Sequence, residues 1–490
     1  PRFRGEVEYA FRHAFVRDAA YRMLPDEDRV VLHRMAAEWL SRVGELDAAV
    51  VAVHFERGAS ESRAIAWYCR AAEQALEGND LQAVVGHAVR AEVCGAQGEN
   101  LGDACLLAAT AHNWMGEFDE GERRASEALT LLRPGSARWY DAAERLAWAL
   151  GMIGNGDQIE DLVTILSTAE PEPDAEASWL VAWVTAAEKL FSYLRRDRAE
   201  ELLRQVEAWE ARSSARHAAA LARISFVRAL QSLHAGRAIS YLRHATDSIA
   251  HNEKAGDIRN ACLQRVNVGD AYIELGDFSK AEALLRCSLT DAEQMNMSMI
   301  AAYARLFLAV ALRARLEIAE ARSLVESAAN YFCSTGSLQQ GGYALAVQAS
   351  ILMLDGALEQ AEQAARKGLE LVETFPSPRT YALASLAAVL LARGSFEDAL
   401  REARQAAESL EKDIPVPGGR AFVWLVYAET LYAAGNVEEA RTVIASARDR
   451  VLRMAPDESE PAWRESYLTN VPENARILAL ARSWLAEASA

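Results

Sequence analysis

Several signatures of enzymes and of membrane proteins are missing from this sequence. It contains no run of about 18 apolar residues, the length that a transmembrane helix requires. It also lacks the phosphate-binding pattern GxxxxGK[ST], the zinc-protease pattern HExxH and the nucleophile pattern GxSxG. These absences favour a protein that is not an enzyme, and we identify no catalytic residue, no cofactor-binding residue and no metal ligand.

Cysteine and proline are scarce. The 12 prolines leave long stretches uninterrupted, which favours helices. None of the six cysteines belongs to a CxxC pair, and all of them fall in stretches that favour a helix. We therefore predict that they are reduced thiols of a hydrophobic core in a cytoplasmic protein. They are Cys69, Cys94, Cys105, Cys262, Cys287 and Cys333.

Basic residues are outnumbered by acidic ones. The chain has 52 Lys and Arg against 70 Asp and Glu, which gives a formal net charge of −18. A negative field of this size repels polyanions, so nucleic acid is not an expected partner. No basic segment followed by a short apolar stretch opens the chain, so no secretion signal is predicted. We expect a cytoplasmic protein with no membrane contact.

The sequence is rich in alanine and leucine, and it repeats itself. The turn from Gly276 to Ala281 would end one helix and begin the next, with Ala281 as the small residue where two helices cross. Similar turns recur at a mean interval just under 40 residues. The equivalents of this alanine, here called the anchor residues, are Ala83, Gly121, Ile159, Ala199, Ala238, Ala281, Ala321, Ala361, Ala399 and Ala440.

A second repeated position supports the same period. Twelve residues before each anchor, nine of the ten positions hold alanine or glycine, and Phe226 is the exception. A small residue at a fixed place lets the backbone of a neighbouring helix approach closely. These positions are Ala71, Ala109, Ala147, Ala187, Phe226, Gly269, Ala309, Ala349, Ala387 and Ala428.

This pattern resembles the tetratricopeptide repeat. The residues that carry the resemblance are Gly269, Tyr272, Gly276, Phe278, Ala281, Trp67 and Trp424. The resemblance implies an all-α protein, a right-handed α–α superhelix of about ten helix pairs, with repeats near 40 residues instead of about 34. Repeats of this length are similar to the sensor regions of bacterial signal-transduction ATPases of the maltose-regulator kind, including those associated with kinases or cyclases.

The two ends of the chain depart from the repeat. The segment 9–40 resembles the junction that follows the ATPase and winged-helix part of those regulators, which would place the ATP site outside this chain. We accordingly predict that residues 1–24 are the tail of an upstream ATPase region and that 25–59 form a helical junction. Residues 60–455 would form the repeat array, and 456–490 a C-terminal loop with a capping helix.

Aromatic residues mark a candidate binding surface. Tyr303, Tyr343, Tyr381 and Phe422 follow each other at intervals of 40, 38 and 41 residues. By resemblance to known arrays they would face the concave groove, beside charged residues that could also contact a ligand. The alternative is that these rings only pack between adjacent first helices. The charged candidates are Asp270, Arg313, Glu429, Glu188 and Arg223.

The function predicted from these patterns is a protein-interaction and sensor scaffold, the regulatory arm of a larger bacterial signalling ATPase. Its partners would be a protein or peptide, or a second copy of the chain, together with the upstream ATPase domain of the same polypeptide. The alternatives are a sensor domain that binds a small-molecule inducer, for which an enclosed pocket is expected, and a self-association module.

Overall fold

The computed structural model describes residues 9–193, 195–212, 217–412, 414, 416 and 419–487, and within them the chain forms 25 helices and no strand. The predicted segment 1–24 therefore lies partly outside the described residues, as do the last three residues of 456–490. The helices are α1 Ala14–Arg22, α2 Asp26–Val43, α3 Ala48–Arg57, α4 Glu61–Glu77, α5 Leu81–Val93, α6 Glu99–Met115, α7 Phe118–Leu131, α8 Ala137–Ile153, α9 Gly156–Leu166, α10 Glu176–Ser192, α11 Arg196–Arg212, α12 Ala218–His234, α13 Ala238–Ala255, α14 Ile258–Glu274, α15 Phe278–Gln294, α16 Ser298–Ala314, α17 Ile318–Ser334, α18 Leu338–Leu354, α19 Leu358–Leu371, α20 Pro376–Ala392, α21 Phe396–Glu411, α22 Arg420–Ala433, α23 Val437–Met454, α24 Pro461–Thr469 and α25 Pro472–Glu487.

Helices α4 to α23 alternate as ten pairs, and the predicted repeat coincides with them. Every anchor residue lies in the second helix of a pair, and the position twelve residues earlier lies in the first. Eight of the ten anchors are buried, whereas Ala83 and Ala238 are half-buried. The predicted fold class, an all-α array of tetratricopeptide-like helix pairs with a period near 40 residues, is confirmed.

The turn within a pair follows from local chemistry. Gly276 has φ +76°, a left-handed conformation that glycine adopts without steric cost. The carboxylate of Asp277 then accepts a hydrogen bond from the Lys280 backbone N–H at 3.1 Å and caps the following helix. At Leu316 the same turn is made without glycine, with φ +64°.

Close packing of the two helices of a pair depends on the small residues. A Cβ atom added to Gly269 would lie 2.6 Å from Cγ of Leu285, on the opposite helix of its pair. The Leu285 side chain cannot move away from such a Cβ atom, because it is fully buried. Small residues at this position are thus a steric requirement of the helix crossing.

The described chain divides into two compact units. The first comprises residues 1–114 and 120–146, and its core contains Phe55, Ile65 and Tyr68. The second comprises 115–119 and 147–490, with a core that includes Tyr241 near its beginning and Leu386 further along. In the second unit the first helices of successive pairs pack on each other, as α14 does on α16, α18 on α20 and α20 on α22.

The structure differs from the sequence-based expectations in two places. A helix, α24, precedes the expected final helix α25. The thiol of Cys287 is exposed, so the prediction that all six cysteines lie in the core was wrong for this residue, while Cys105 and Cys262 are buried. Within the described residues, no helix combines the length and hydrophobicity needed to cross a membrane.

Candidate functional site

The second unit contains a partly open cavity of about 360 Å³, here called the interior cavity. Its wall is formed by the first helices of six successive pairs, namely α12, α14, α16, α18, α20 and α22. Tyr467 of α24 and residues 471–474 at the start of α25 line it as well. The C-terminal helices therefore fold back over a wall that belongs to the repeats.

Six of the nine predicted groove residues line the interior cavity, and three lie elsewhere. Glu429 forms an ion pair with Arg476 at 2.9 Å, and Glu188 accepts a hydrogen bond from Lys189 at 2.6 Å. Arg223 is half-buried on α12 and does not line the cavity. That the other six contact a ligand stays a prediction. They are Tyr303, Tyr343, Tyr381, Phe422, Asp270 and Arg313.

The aromatic series combines both of the arrangements considered from the sequence. The ring of Tyr381 lies 5.1 Å from that of Tyr343 and 5.3 Å from that of Phe422, so three successive first helices are bridged by ring contacts. Tyr303 instead packs edge-on against Phe332 at 5.0 Å. All four rings pack between helices and also face the interior cavity.

An ion pair joins the C-terminal helices to the cavity wall. The guanidinium of Arg313 donates a hydrogen bond to Glu473 at 3.1 Å, and both side chains are 16% exposed. Burial by itself lowers the pKa of Arg313, but the charge and hydrogen bond of Glu473, together with Tyr381 and Tyr343, outweigh it and the net pKa is raised. Arg313 thus remains charged beside its partner.

Two further carboxylates, Asp270 and Glu274, face the cavity one helical turn apart on α14. Burial raises the pKa of Asp270, although a hydrogen bond from the Tyr241 hydroxyl at 3.1 Å opposes the shift. Burial also raises the pKa of Glu274, and the negative charges of Asp270 and Glu473 add to it. Both carboxyl groups are therefore easier to protonate than exposed ones.

His234 contributes a different titratable group to the same wall. Burial, as the main cause, and the positive charges of Arg196 and Arg420 together lower the pKa of this histidine to about 4. The imidazole is neutral at physiological pH.

Three buried polar atoms of the cavity lining have no hydrogen-bond partner among the described residues. They are Nε of Arg313, Oε1 of Gln340 and Oδ1 of Asn474. Buried polar groups in native proteins nearly always form hydrogen bonds. We therefore expect these three atoms to bond to a group outside the described residues. A polar ligand or ordered water would satisfy them.

Further contacts join the C-terminal helix α24 to the pair α14 and α15. The ring of Trp463 stacks on Tyr272 with centroids 6.0 Å apart, and Nζ of Lys280 lies 4.9 Å from the Trp463 ring. Asn470 donates a hydrogen bond to the carbonyl oxygen of Gly276 at 3.3 Å. A Cβ on Gly276 would lie 2.7 Å from the backbone oxygen of Ser466, so glycine is needed for this approach.

Several residues of the cavity were not identified from the sequence. Glu274 could have been found, because it follows Asp270 by four residues and so shares its helical face. Glu473 and Asn474 carry no such signal, since they come from a segment about 200 residues further along the chain. The described residues contain no group of three His, Cys, Asp or Glu side chains placed to hold a metal ion.

No family model and no curated protein matches this chain. Among solved structures, it is similar to a Rap protein in complex with competence and sporulation factor, with 11% identity and a TM-score of 0.49 over 72% of this chain and 98% of that one. It is also similar to a chain of the Cut9–Hcn1 hetero-tetramer of the anaphase-promoting complex, with 15% identity and a TM-score of 0.42 over 96% and 99%.

A third similar structure is a signal-transduction ATPase with numerous domains from Pyrococcus horikoshii, which has a tetratricopeptide-repeat sensor. The identity is 15% and the TM-score 0.44, over 89% of this chain and 68% of that one. At these values the similarity concerns the arrangement of helices and says nothing about ligands.

Proposed function

We propose that this chain is a binding module, the sensor and scaffold arm of a larger bacterial signalling ATPase, and that its ligand binds in the interior cavity. The cavity supports this proposal because its volume falls in the range of small-molecule sites and its lining combines aromatic rings with unpaired polar atoms. No catalytic group is assigned to it.

A small molecule suits this cavity better than an extended peptide. A peptide lying along the first helices would have to displace α24 and α25, which contact Tyr272, Gly276 and Arg313. A compact ligand needs no such displacement. The small-molecule sensor is therefore the form of the proposal that the geometry favours.

The C-terminal helices suggest how binding would be transmitted. A ligand in the cavity would contact both the first helices and the start of α25, because Arg313 and Glu473 lie on these two sides. The ligand would stabilise the closed form, in which α25 is joined to the first helices, over an open form in which it is not. The equilibrium would shift toward the closed form by the ratio of the ligand's affinities for the two forms.

A cavity-filling variant tests the location. Ala421 lines the cavity, whereas Ala433 lies exposed at the end of the same helix α22. In a thermal-shift screen with a metabolite library, we expect compounds that stabilise the wild type and Ala433→Phe but not Ala421→Phe. A screen without hits, or hits that Ala421→Phe does not abolish, would contradict the proposal.

A second surface supports contact with a protein. Helices α1 and α2 and the turn between them expose large apolar side chains, including Phe15 at 88%, Met23 at 83% and Met35 at 60%. Large apolar side chains exposed in this number typically mark a surface that another protein covers. We propose that the upstream ATPase domain of the same polypeptide covers it.

Two measurements test this contact. In the parent polypeptide, amide exchange of α1 and α2 should be slower than in this chain. Self-association would instead appear in sedimentation velocity as a dimer that Phe15→Ser combined with Met35→Ser abolishes. A monomer at every concentration, with equal exchange in both contexts, would contradict both forms of the proposal.

A further inference from the structure

The charged side chains of the interior cavity include an unbalanced pair of acids. Of the three carboxylates that line it, Glu473 is paired with Arg313 at 3.1 Å. Asp270 accepts only the hydroxyl of Tyr241, a neutral donor, and no described residue donates a hydrogen bond or forms an ion pair with Glu274. Two carboxylates therefore face the cavity without a cation.

The unpaired neutral groups show the same imbalance. Oε1 of Gln340 and Oδ1 of Asn474 are acceptors without a donor, and Asn474 is only 2% exposed. Its amide nitrogen is already used, since it donates to the carbonyl oxygen of Tyr467 at 3.0 Å. Among the buried polar side-chain atoms of the lining, Nε of Arg313 is the one donor without a partner in the described residues. The two amide oxygens favour a ligand that carries hydrogen-bond donors.

Positive charge in the lining is already engaged. Arg313 is held by Glu473, and Arg420, which also lines the cavity, lies near His234 and takes part in an interaction of its own. Neither guanidinium is shown in contact with Asp270 or Glu274. Asp270 and Glu274 on α14 are therefore the acids of the lining that have no cationic partner among the described residues.

The aromatic wall complements these acids. The rings of Tyr343, Tyr381 and Phe422 form a continuous apolar surface across α18, α20 and α22. Tyr343 is also close enough to Asp270 and Glu274 for their charges to raise its pKa, after burial as the main cause. Aromatic faces beside carboxylates attract organic cations and pack against an apolar ligand body.

We propose that the interior cavity binds a small organic cation, an amine or guanidinium compound with an apolar part, whose charged group is held by Asp270 and Glu274. The amide oxygens of Gln340 and Asn474 would accept further hydrogen bonds, and the apolar part would lie on the aromatic wall. This inference rests on the proposed function, which places the ligand in the cavity.

Binding of a cation to these acids has a consequence for protons. Their environment consists of Tyr241, Arg313, Tyr343, Tyr381, Tyr467 and Glu473. Burial raises the pKa of both carboxyls in the empty cavity, and a bound cation lowers it again. Binding therefore releases protons, and affinity increases as the pH rises through the raised pKa values.

The test compares three probes of equal size and different charge: 2-phenylethylamine, 2-phenylethanol and phenylacetate. Binding is measured by isothermal titration calorimetry to the wild type, Asp270→Asn and Glu274→Gln. The control variant is Glu326→Gln, an exposed acid on α17 that does not line the cavity. The calorimetry is repeated in two buffers of different ionisation enthalpy, so that proton release is counted.

We expect the amine to bind at least about tenfold more tightly than the alcohol, and each cavity variant to weaken amine binding at least about tenfold, the lower end of the range for a hydrogen bond to a charged group. Glu326→Gln should leave it unchanged. Because the two amides have the shape of the acids they replace, melting temperatures should not fall, which separates lost binding from lost folding.

The outcomes distinguish this inference from the proposed function. If the alcohol or phenylacetate binds as well as the amine and Ala421→Phe abolishes that binding, the cavity is a ligand site but the cationic class is wrong. Amine binding that survives both cavity variants, or equal stabilisation by Mg²⁺, would also overturn the inference. If no probe and no library compound binds, the proposed function fails with it.

Discussion

At the scale of single residues, the turn at Leu316 lacks the glycine that most turns within a helix pair contain. Glycine occupies the equivalent positions Gly276, Gly356, Gly394 and Gly435, all with positive φ. Leu316 adopts φ +64° with a side chain that is 71% exposed, so nothing in its packing compensates for the backbone conformation. Natural repeat proteins tolerate such strain because no single turn decides the stability of the array.

Leu316→Gly should stabilise the second unit. A non-glycine residue in the left-handed region costs about 1–2 kcal/mol, and the greater freedom of glycine in the unfolded chain returns part of this. We expect a net gain of about 0.5–1 kcal/mol in the free energy of unfolding, measured from the urea midpoint. The reciprocal control is Gly356→Leu, where no atom lies within 4 Å of an added Cβ, so only backbone strain acts. It should lose about 0.5–1 kcal/mol, because the same difference in unfolded-chain freedom offsets part of the strain, and a neutral result for both changes would contradict the argument.

His234 should make the stability of the second unit depend on pH. Its pKa is lowered in the folded state to about 4, so the unfolded chain takes up a proton first as the pH falls below about 6.5. Stability is therefore complete above that value and decreases between about pH 6.5 and pH 4, by at most about 1.4 kcal/mol per pH unit.

The comparison of His234→Gln with the wild type isolates this contribution. Asp270 and Glu274 act in the opposite direction, because their folded pKa values are raised, but they are present in both proteins. Urea denaturation at pH 7 and pH 5 should show a larger loss for the wild type than for the variant. Equal losses would mean that the histidine is solvated and does not retain its lowered pKa.

At the scale of elements, α24 and α25 cover part of the repeat array and complete one wall of the interior cavity. They are joined to the repeats by a stacked pair, a cation–π contact and the buried ion pair between Arg313 and Glu473. The ion pair matters most for stability, because removing one partner leaves a buried charge uncompensated.

Glu473→Ala should destabilise the second unit by about 3 kcal/mol. The change leaves Arg313 buried without its ion-pair partner and removes an acid from the first turn of α25. The matched control is Asp355→Ala, which breaks an ion pair with Arg322 whose side chains are 40% and 39% exposed. That change should stay within about 1 kcal/mol. Both values come from chemical denaturation, and similar costs would show that the Arg313 pair is solvated.

At the scale of the whole molecule, each helix pair contacts mainly its neighbours along the chain. Stability in such arrays is local and propagates over short distances. The two units have separate hydrophobic clusters, one around Phe55 and one that includes Leu386. Damage to one cluster should therefore remain within its own unit.

Phe55→Ala should increase amide exchange in α2–α5 and leave α18–α21 unchanged. Phe55 is 2% exposed, and removing a buried phenylalanine typically costs about 3–5 kcal/mol. The reciprocal change Leu386→Ala, at a side chain that is also 2% exposed, should increase exchange in α18–α21 and spare α2–α5. Exchange measured by mass spectrometry that rises throughout the chain for either variant would indicate a single cooperative unit.

Particular residues show which parts of the fold and of the cavity could be predicted from the sequence. The anchor alanines and their partners twelve residues earlier predicted ten helix pairs, because the spacing of small residues is a local property that each repeat carries by itself. The series Tyr303, Tyr343, Tyr381 and Phe422 predicted one wall of the cavity for the same reason. Glu429 carries a similar signal and nevertheless pairs with Arg476 at the surface, since helical register alone does not say what the C-terminal helix will cover.

The sequence by itself determined the helices, their pairing and the interval at which they recur, since these follow from local preferences and from contacts between neighbouring segments. Only the tertiary structure decided that Glu473 and Asn474 line the same interior cavity as Arg313 and Glu274. The return of a chain end to a distant repeat depends on complementary packing, such as Ser466 against Gly276 and Trp463 against Tyr272. Such packing involves pairs of surfaces that no repeat interval relates, so it becomes visible only when the chain is folded.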